Sequence, residues 1–138
     1  MAVERGVVGP DQLAAMPLFA GLRLEELERV AELAEGVAVP AGETIGSEHD
    51  FAYEFFIIEE GRAEVVQRDG SRLAELGPGD FFGEIGLLIT GRRTASVVSL
   101  TPMRLIVMFE QSFRRVHDEL PTLAASIRAV CADRFQRR

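Results

Sequence analysis

The sequence predicts a mainly β protein with flanking helices, in the order helix, many strands, two helices. Three observations carry that expectation. A helical period runs over Leu22–Glu35, glycine-punctuated apolar runs fill Val37 to Met108, and the helical period returns after Phe109.

In the first segment, LRLEELERVAELAE, Leu24, Leu27, Val30, Ala31 and Ala34 recur at spacings of three and four with charged residues between them. That is the pattern of an amphipathic helix packed on a core, and Gly36 is placed to end it. Val37 to Pro40 then reads as extended, turning at Ala41-Gly42. The central runs are Phe55–Ile58, Ala63–Gln67, Arg72–Leu76, Thr94–Leu100 and Arg104–Phe109. Turn signals at Glu60-Gly61, Asp69-Gly70 and Gly77-Pro78-Gly79-Asp80 separate them, as in a β sandwich or barrel. Asp69-Gly70 is the strongest hairpin signal, read as a two-residue turn with positive φ at both central residues. Gln111–Glu119 reads as a helix, and after Leu120-Pro121 a second runs from Thr122 towards Arg138, with Leu123, Ile127, Val130, Cys131 and Arg134 on one face.

A chain of 138 residues, 47% hydrophobic, suffices for one packed core and is too short for two ordinary domains. The expected layout is a single domain over 1–138, with a helical part at about 11–36, a β part at about 37–109 and C-terminal helices at about 110–138. A net charge of -7 argues against non-specific binding to nucleic acid or an anionic membrane, so an anionic ligand needs local cations. Apolar runs such as Leu105–Phe109 fall far short of the roughly 20 residues that cross a bilayer. The N-terminus lacks the basic start and apolar core of a secretory signal, and a lone Cys131 fits a reducing cytoplasm. His49 and His117 lie apart with no CxxC or HxxxH, so neither a metal cofactor nor a catalytic group is expected.

The segment with chemical character is Phe82–Val97, FGEIGLLITGRRTASV. Gly83-Glu84-Ile85-Gly86-Leu87-Leu88 follows a turn and suits one short helical turn whose N–H groups are exposed at its start, as at anion sites. An arginine returning to that place adds a permanent, planar charge for a phosphate. A carboxylate in the same loop suits a ribose hydroxyl rather than a phosphate, since like charges repel. Glycines at 83 and 86 allow a ligand close to the backbone. Taken singly, Glu84 and Arg93 also fit a structural ion pair at a turn, and Arg92 a solvated neighbour.

The segment resembles the phosphate-binding cassette of cyclic-nucleotide-binding domains, a family that includes catabolite-activator-type regulators, protein kinase A regulatory subunits and cyclic-nucleotide-gated channels. In Phe-Gly-Glu-Ile-Gly a small residue stands two after the acid, and an arginine stands nine positions after the glutamate (93 − 84 = 9), then a hydroxyl residue and alanine. GRRTASV is especially similar to the run in hyperpolarisation-activated channels. The resemblance reaches from Pro17–Leu22 to the last helix: Leu76–Glu84 matches the family's approach to the site, and Gly42, Ile45, Glu48, Asp50, Ile57 and Gly61 its first strands. It departs at His49, where the family has a turn glycine, and at Ala52-Tyr53.

The resemblance implies an antiparallel β-roll (a double-stranded β-helix, or jelly-roll) with an N-terminal helix, a short cassette helix and two C-terminal helices. It implies a non-catalytic, cytoplasmic sensor of cAMP or cGMP whose occupancy moves the C-terminal helices and is read by a protein effector. Ligand-site residues would be Leu76, Phe82, Gly83, Glu84, Ile85, Gly86, Leu87, Arg93, Thr94, Ala95 and Arg134. Within these, Glu84 would take the ribose 2′-hydroxyl, Arg93 the cyclic phosphate, and N–H groups around Gly86, Leu87 and Ala95 the rest of the cradle. Thr94 leaves the base open, and Arg134 would cap it from the last helix. Alternatives at this stage are a fold kept only for protein interaction, and the detached regulatory domain of a channel or kinase. A metal-dependent jelly-roll enzyme lacks its His and carboxylate cluster.

Overall fold

A computed structural model describes residues 4–46, 53–93 and 95–137. His49, Glu48, Asp50, Ala52 and Thr94 lie outside the described residues. The described chain opens with β1 (Glu4–Gly6), α1 (Pro10–Ala14), a 3₁₀ turn at Pro17–Phe19 and α2 (Leu24–Glu32). Nine strands in all are described, the others being β2 (Glu35–Val39), β3 (Thr44–Gly46), β4 (Glu54–Glu60), β5 (Ala63–Val66), β6 (Arg72–Leu76), β7 (Phe81–Phe82), β8 (Ser96–Ser99) and β9 (Met103–Phe109). A π-helical turn, Gly86–Thr90, precedes β8, and α3 (Glu110–Glu119) and α4 (Pro121–Arg137) close the chain.

The strands form two antiparallel sheets, β1-β2-β9-β4-β7 and β3-β8-β5-β6. In the first, β4 and β9 are buried on both faces along most of their length, which explains the unbroken apolar runs Phe55–Ile58 in β4 and Leu105–Met108 in β9. Successive side chains alternate between two cores. Phe55, Ile57, Ile106 and Met108 pack with Phe19, Val30, Phe113 and Ile127 of the helical layer. Phe56, Ile58, Leu105 and Val107 pack with Val65, Leu76, Phe82 and Val97, residues drawn from both sheets. The roll and the flanking helices therefore share β4 and β9 as their common wall.

Four expectations are corrected here. Gly36 does not cap the first helix: α2 ends at Glu32 and Gly36 lies within β2, opposite Ile106. Leu24 is 61% exposed, and only Leu27 and Val30 of that stripe are fully buried, because Leu24 starts the helix rather than facing the core. The periodicity reading omitted β1, which pairs with β2 through Glu4↔Ala38, and the short α1. The hairpin after β5 is longer than a two-residue turn. Gly70 N donates to Gln67 O at 2.9 Å, so Arg68 and Asp69 occupy the turn centre and Gly70, at φ +88°, follows it. This is a turn plus a left-handed glycine, the commonest three-residue solution.

Gly61 is required where it stands. At φ +96°, an added Cβ would meet Pro102 O at 2.5 Å, so the β4–β5 turn closes against the β8–β9 turn only without a side chain. The helical layer is tied together by Arg29 of α2, whose Nε and Nη2 each donate to Glu119 at the end of α3 at 3.1 Å. This fork holds the Glu119 carboxyl below the usual carboxylate range, chiefly through the Arg29 hydrogen bonds, and the Arg29 guanidinium correspondingly high. A carboxyl depressed on folding contributes stability above its unfolded pKa, about 4.3, and loses it as pH falls through the folded value. Thermal melts should therefore show wild type above Glu119→Gln at pH 7, with the gap closing below about pH 4.

Candidate functional site

The site is built where β7, the π-helical turn, β8 and the end of α4 meet beside the roll core. β7 pairs with β4 through Phe56↔Phe82, and the two rings stack at 4.7 Å. Directly after β7 the backbone turns at Gly83, φ +96°. An added Cβ there would lie 2.6 Å from Glu54 O, so the absence of a side chain lets β4 press against the start of the loop. Glu84 and Ile85 continue helically into Gly86–Thr90, and Leu87 N donates back to Gly83 O at 3.3 Å. The i→i+5 winding is the strained form in which helices commonly carry sites.

Glu84 is 1% exposed although ionisable. A buried carboxylate needs a charged, hydrogen-bonded partner. It has one in Arg134, fifty residues on in α4, whose Nη1 donates to Glu84 Oε1 at 2.9 Å, to Oε2 at 3.0 Å and to Phe81 O at 2.7 Å. The guanidinium also lies 5.1 Å from the centre of the Phe81 ring. Arg134 reaches this position because Leu123, Ile127 and Cys131 bury one face of α4, leaving Val130 and Arg134 at its edge. Arg93 is 9% exposed, with Nη2 3.6 Å from Glu54 Oε1 and its guanidinium 5.6 Å from the Phe56 ring centre. The two candidate ligand groups thus take partners from distant parts of the chain, not merely from their own turn.

One cavity of about 210 Å³ joins them. The predicted residues Leu76, Phe82, Gly83, Glu84, Ile85, Arg93, Ala95 and Arg134 all line it. Leu87 does not. Leu87 instead buries its side chain in the helical core, and its N–H is engaged by Gly83 O, which corrects its expected place in the cradle. Thr94 lies outside the described residues. Sequence reasoning missed Val65, Leu73, Ala74 and Val97, which supply an apolar wall from β5, β6 and β8, and Asp133 from α4; Val130, read as packing on the same helix face as Arg134, also lines the cavity. The strand residues were legible as inward positions of alternating runs. Asp133 had a weaker signal, one residue before Arg134 on the same helix. Among the described residues no group of three or more His, Cys, Asp or Glu is arranged to hold a metal ion, and no helix is long and apolar enough to cross a membrane.

This combination of a two-sheet roll, a glycine-flanked short helical turn, a buried carboxylate and a facing arginine defines a ligand-binding roll. The model of the cyclic nucleotide-binding domain matches residues 37–119, and the chain belongs to that family. It is 29% identical over 124 residues to the cyclic AMP receptor protein of Thermus thermophilus, covering 87% of this chain and 57% of that one. It is 32% identical over 122 residues to a cyclic nucleotide-gated potassium channel of Rhizobium etli, covering 88% and 34%. Among solved structures, the Thermus thermophilus catabolite activator protein superposes with a TM-score of 0.75 at 30% identity, over 87% of this chain and 58% of that one. The chain thus spans between about a third and three-fifths of the length of these relatives.

Removing Arg134 leaves Glu84 as a buried charge beside a cavity that water can enter. Arg134→Ala should therefore lower unfolding stability by about 2 kcal/mol in urea titrations. Arg134→Ala combined with Glu84→Gln should recover part of that loss, because the stranded charge is then gone.

Proposed function

We propose that this chain is a non-catalytic regulatory domain that binds a cyclic nucleotide, cAMP in the first instance and cGMP as the alternative, and signals occupancy through α4. The observation that carries the reading is that Arg93, Glu84 and an apolar wall line the same cavity. Those are the three chemistries a cyclic nucleotide presents: an anion, a ribose hydroxyl and a flat, weakly polar base. Arg93 has five N–H donors, and one edge of its guanidinium is enough for a phosphate. Each oxygen of the Glu84 carboxylate can accept more than one hydrogen bond, so a ribose hydroxyl can donate to the same carboxylate that Arg134 holds. The Thermus thermophilus relative is by name a cyclic AMP receptor, which favours adenine.

Coupling to α4 follows from size and chemistry. The cavity, at about 210 Å³, lies below the roughly 300–1,000 Å³ of sites for small organic ligands. A nucleotide seated there touches the wall, and the part of it built from Val130, Asp133 and Arg134 belongs to one helix. Its hydroxyl also draws on the carboxylate that anchors Arg134. Ligand contacts thus differ between positions of α4, which is what a population shift requires. In this reading Arg134 acts as a tether on the ribose acceptor, where the sequence suggested a cap on the base. A protein effector in the cytoplasm would read the helix position, and the domain would span the whole of 1–138.

Calorimetric titration with cAMP and cGMP tests the site. Arg93→Ala should weaken binding of the preferred nucleotide by about 100-fold, the loss of a desolvated charge-assisted contact. Unchanged affinity for both nucleotides would contradict the assignment.

A further inference from the structure

Arg93 does not face its ligand site as an uncompensated cation. β4 alternates, so Glu54 and Phe56 project from the same side of one strand, two residues apart, and Arg93 rests against both. The Gly83 contact with Glu54 O keeps that strand end against the loop. Arg93 lines the cavity, while Glu54 flanks a separate open groove with Tyr53 and Phe109. The carboxylate therefore sits behind the guanidinium, where it acts on a ligand through Arg93 and through space.

Arg93 and Arg134 line the cavity together with Glu84 and Asp133, and Glu54 stands behind Arg93, so carboxylates already accompany both cations before any ligand arrives. A cyclic phosphodiester has one ionisable oxygen and adds one negative charge. An open phosphomonoester has a second ionisation near pH 6 and adds almost two at neutral pH. Glu54 lies within one ion-pair distance of the group that would hold the phosphate, inside the roughly 8 Å over which physiological salt leaves charges unscreened. Its repulsion thus weighs on the second ligand charge as well as the first.

We propose that Glu54 is a positioning residue that also makes the phosphate subsite selective for singly charged ligands, favouring the cyclic phosphodiester over dianionic monoesters such as 5′-AMP. The inference rests on the cyclic-nucleotide reading of the same cavity. Any role of Glu54 in holding Arg93 is common to all phosphate ligands and cancels in a ratio of affinities. Only the charge effect survives in that ratio.

The test is competition against labelled cAMP at pH 7.5 by unlabelled cAMP, 5′-AMP and the methyl ester of 5′-AMP, which is acyclic but singly charged. In Glu54→Gln the affinity of 5′-AMP relative to cAMP should rise about fivefold over wild type, while the methyl ester relative to cAMP stays level. Glu54→Ala should move the ratio the same way and serves if the glutamine variant does not fold. The proposal is overturned if both variants leave the 5′-AMP to cAMP ratio unchanged, if 5′-AMP competes with none of the proteins, or if the methyl ester gains as much as 5′-AMP. Failure of wild type to bind labelled cAMP at millimolar concentration would instead overturn the cyclic-nucleotide reading beneath it.

Discussion

The structure depends on a carboxylate that is almost wholly out of water. Glu84 is 1% exposed, and an ion so placed persists only with a partner held in good geometry. Arg134 meets that condition with contacts to both carboxylate oxygens and to Phe81 O. The consequence reaches beyond the pair. Arg134 sits on α4, so the polar centre of the roll and the packing of the last helix form one interaction.

The rest of the fold makes that junction possible. β4 and β9 carry apolar side chains on both faces, so the helical layer and the roll share a rigid wall. Gly83 lets β4 approach the loop closely, and the same approach places Glu54 beside Arg93. On the far side, the Arg29–Glu119 fork joins α2 to the end of α3, immediately before the Leu120-Pro121 break at which α4 begins. The junction between α3 and α4 is therefore anchored on its N-terminal side. Two arginines, each paired with a carboxylate, line one cavity.

Much of this was legible in the sequence because it is local. Strand alternation, the glycine turns and the helical stripe Leu123, Ile127, Val130, Cys131 each follow from short-range periodicity. The spacing of Glu84 and Arg93 pointed to two residues that line one cavity. What escaped depended on contacts across long stretches of chain. No pattern near Glu84 announces that Arg134 pairs with it, and none near Arg93 announces Glu54. Gly36 looked like a helix stop because glycine serves both as a cap and as a strand residue under a neighbouring backbone, here that of Gly6. Leu87 looked like a cradle donor, but local winding engages its N–H with Gly83 O. For Glu84, Arg93 and Gly36 a tertiary contact decided between locally acceptable roles, and for Leu87 the winding of the turn did.

The central claim is that ligand at the Glu84–Arg93 cavity is felt by α4. Amide hydrogen exchange of α4 in wild type, with and without saturating cAMP, tests it most directly. The account predicts that protection over residues 124–137 changes on binding while the amides of β4 and β9 keep theirs. Saturable binding that leaves the exchange of α4 unaltered would contradict it.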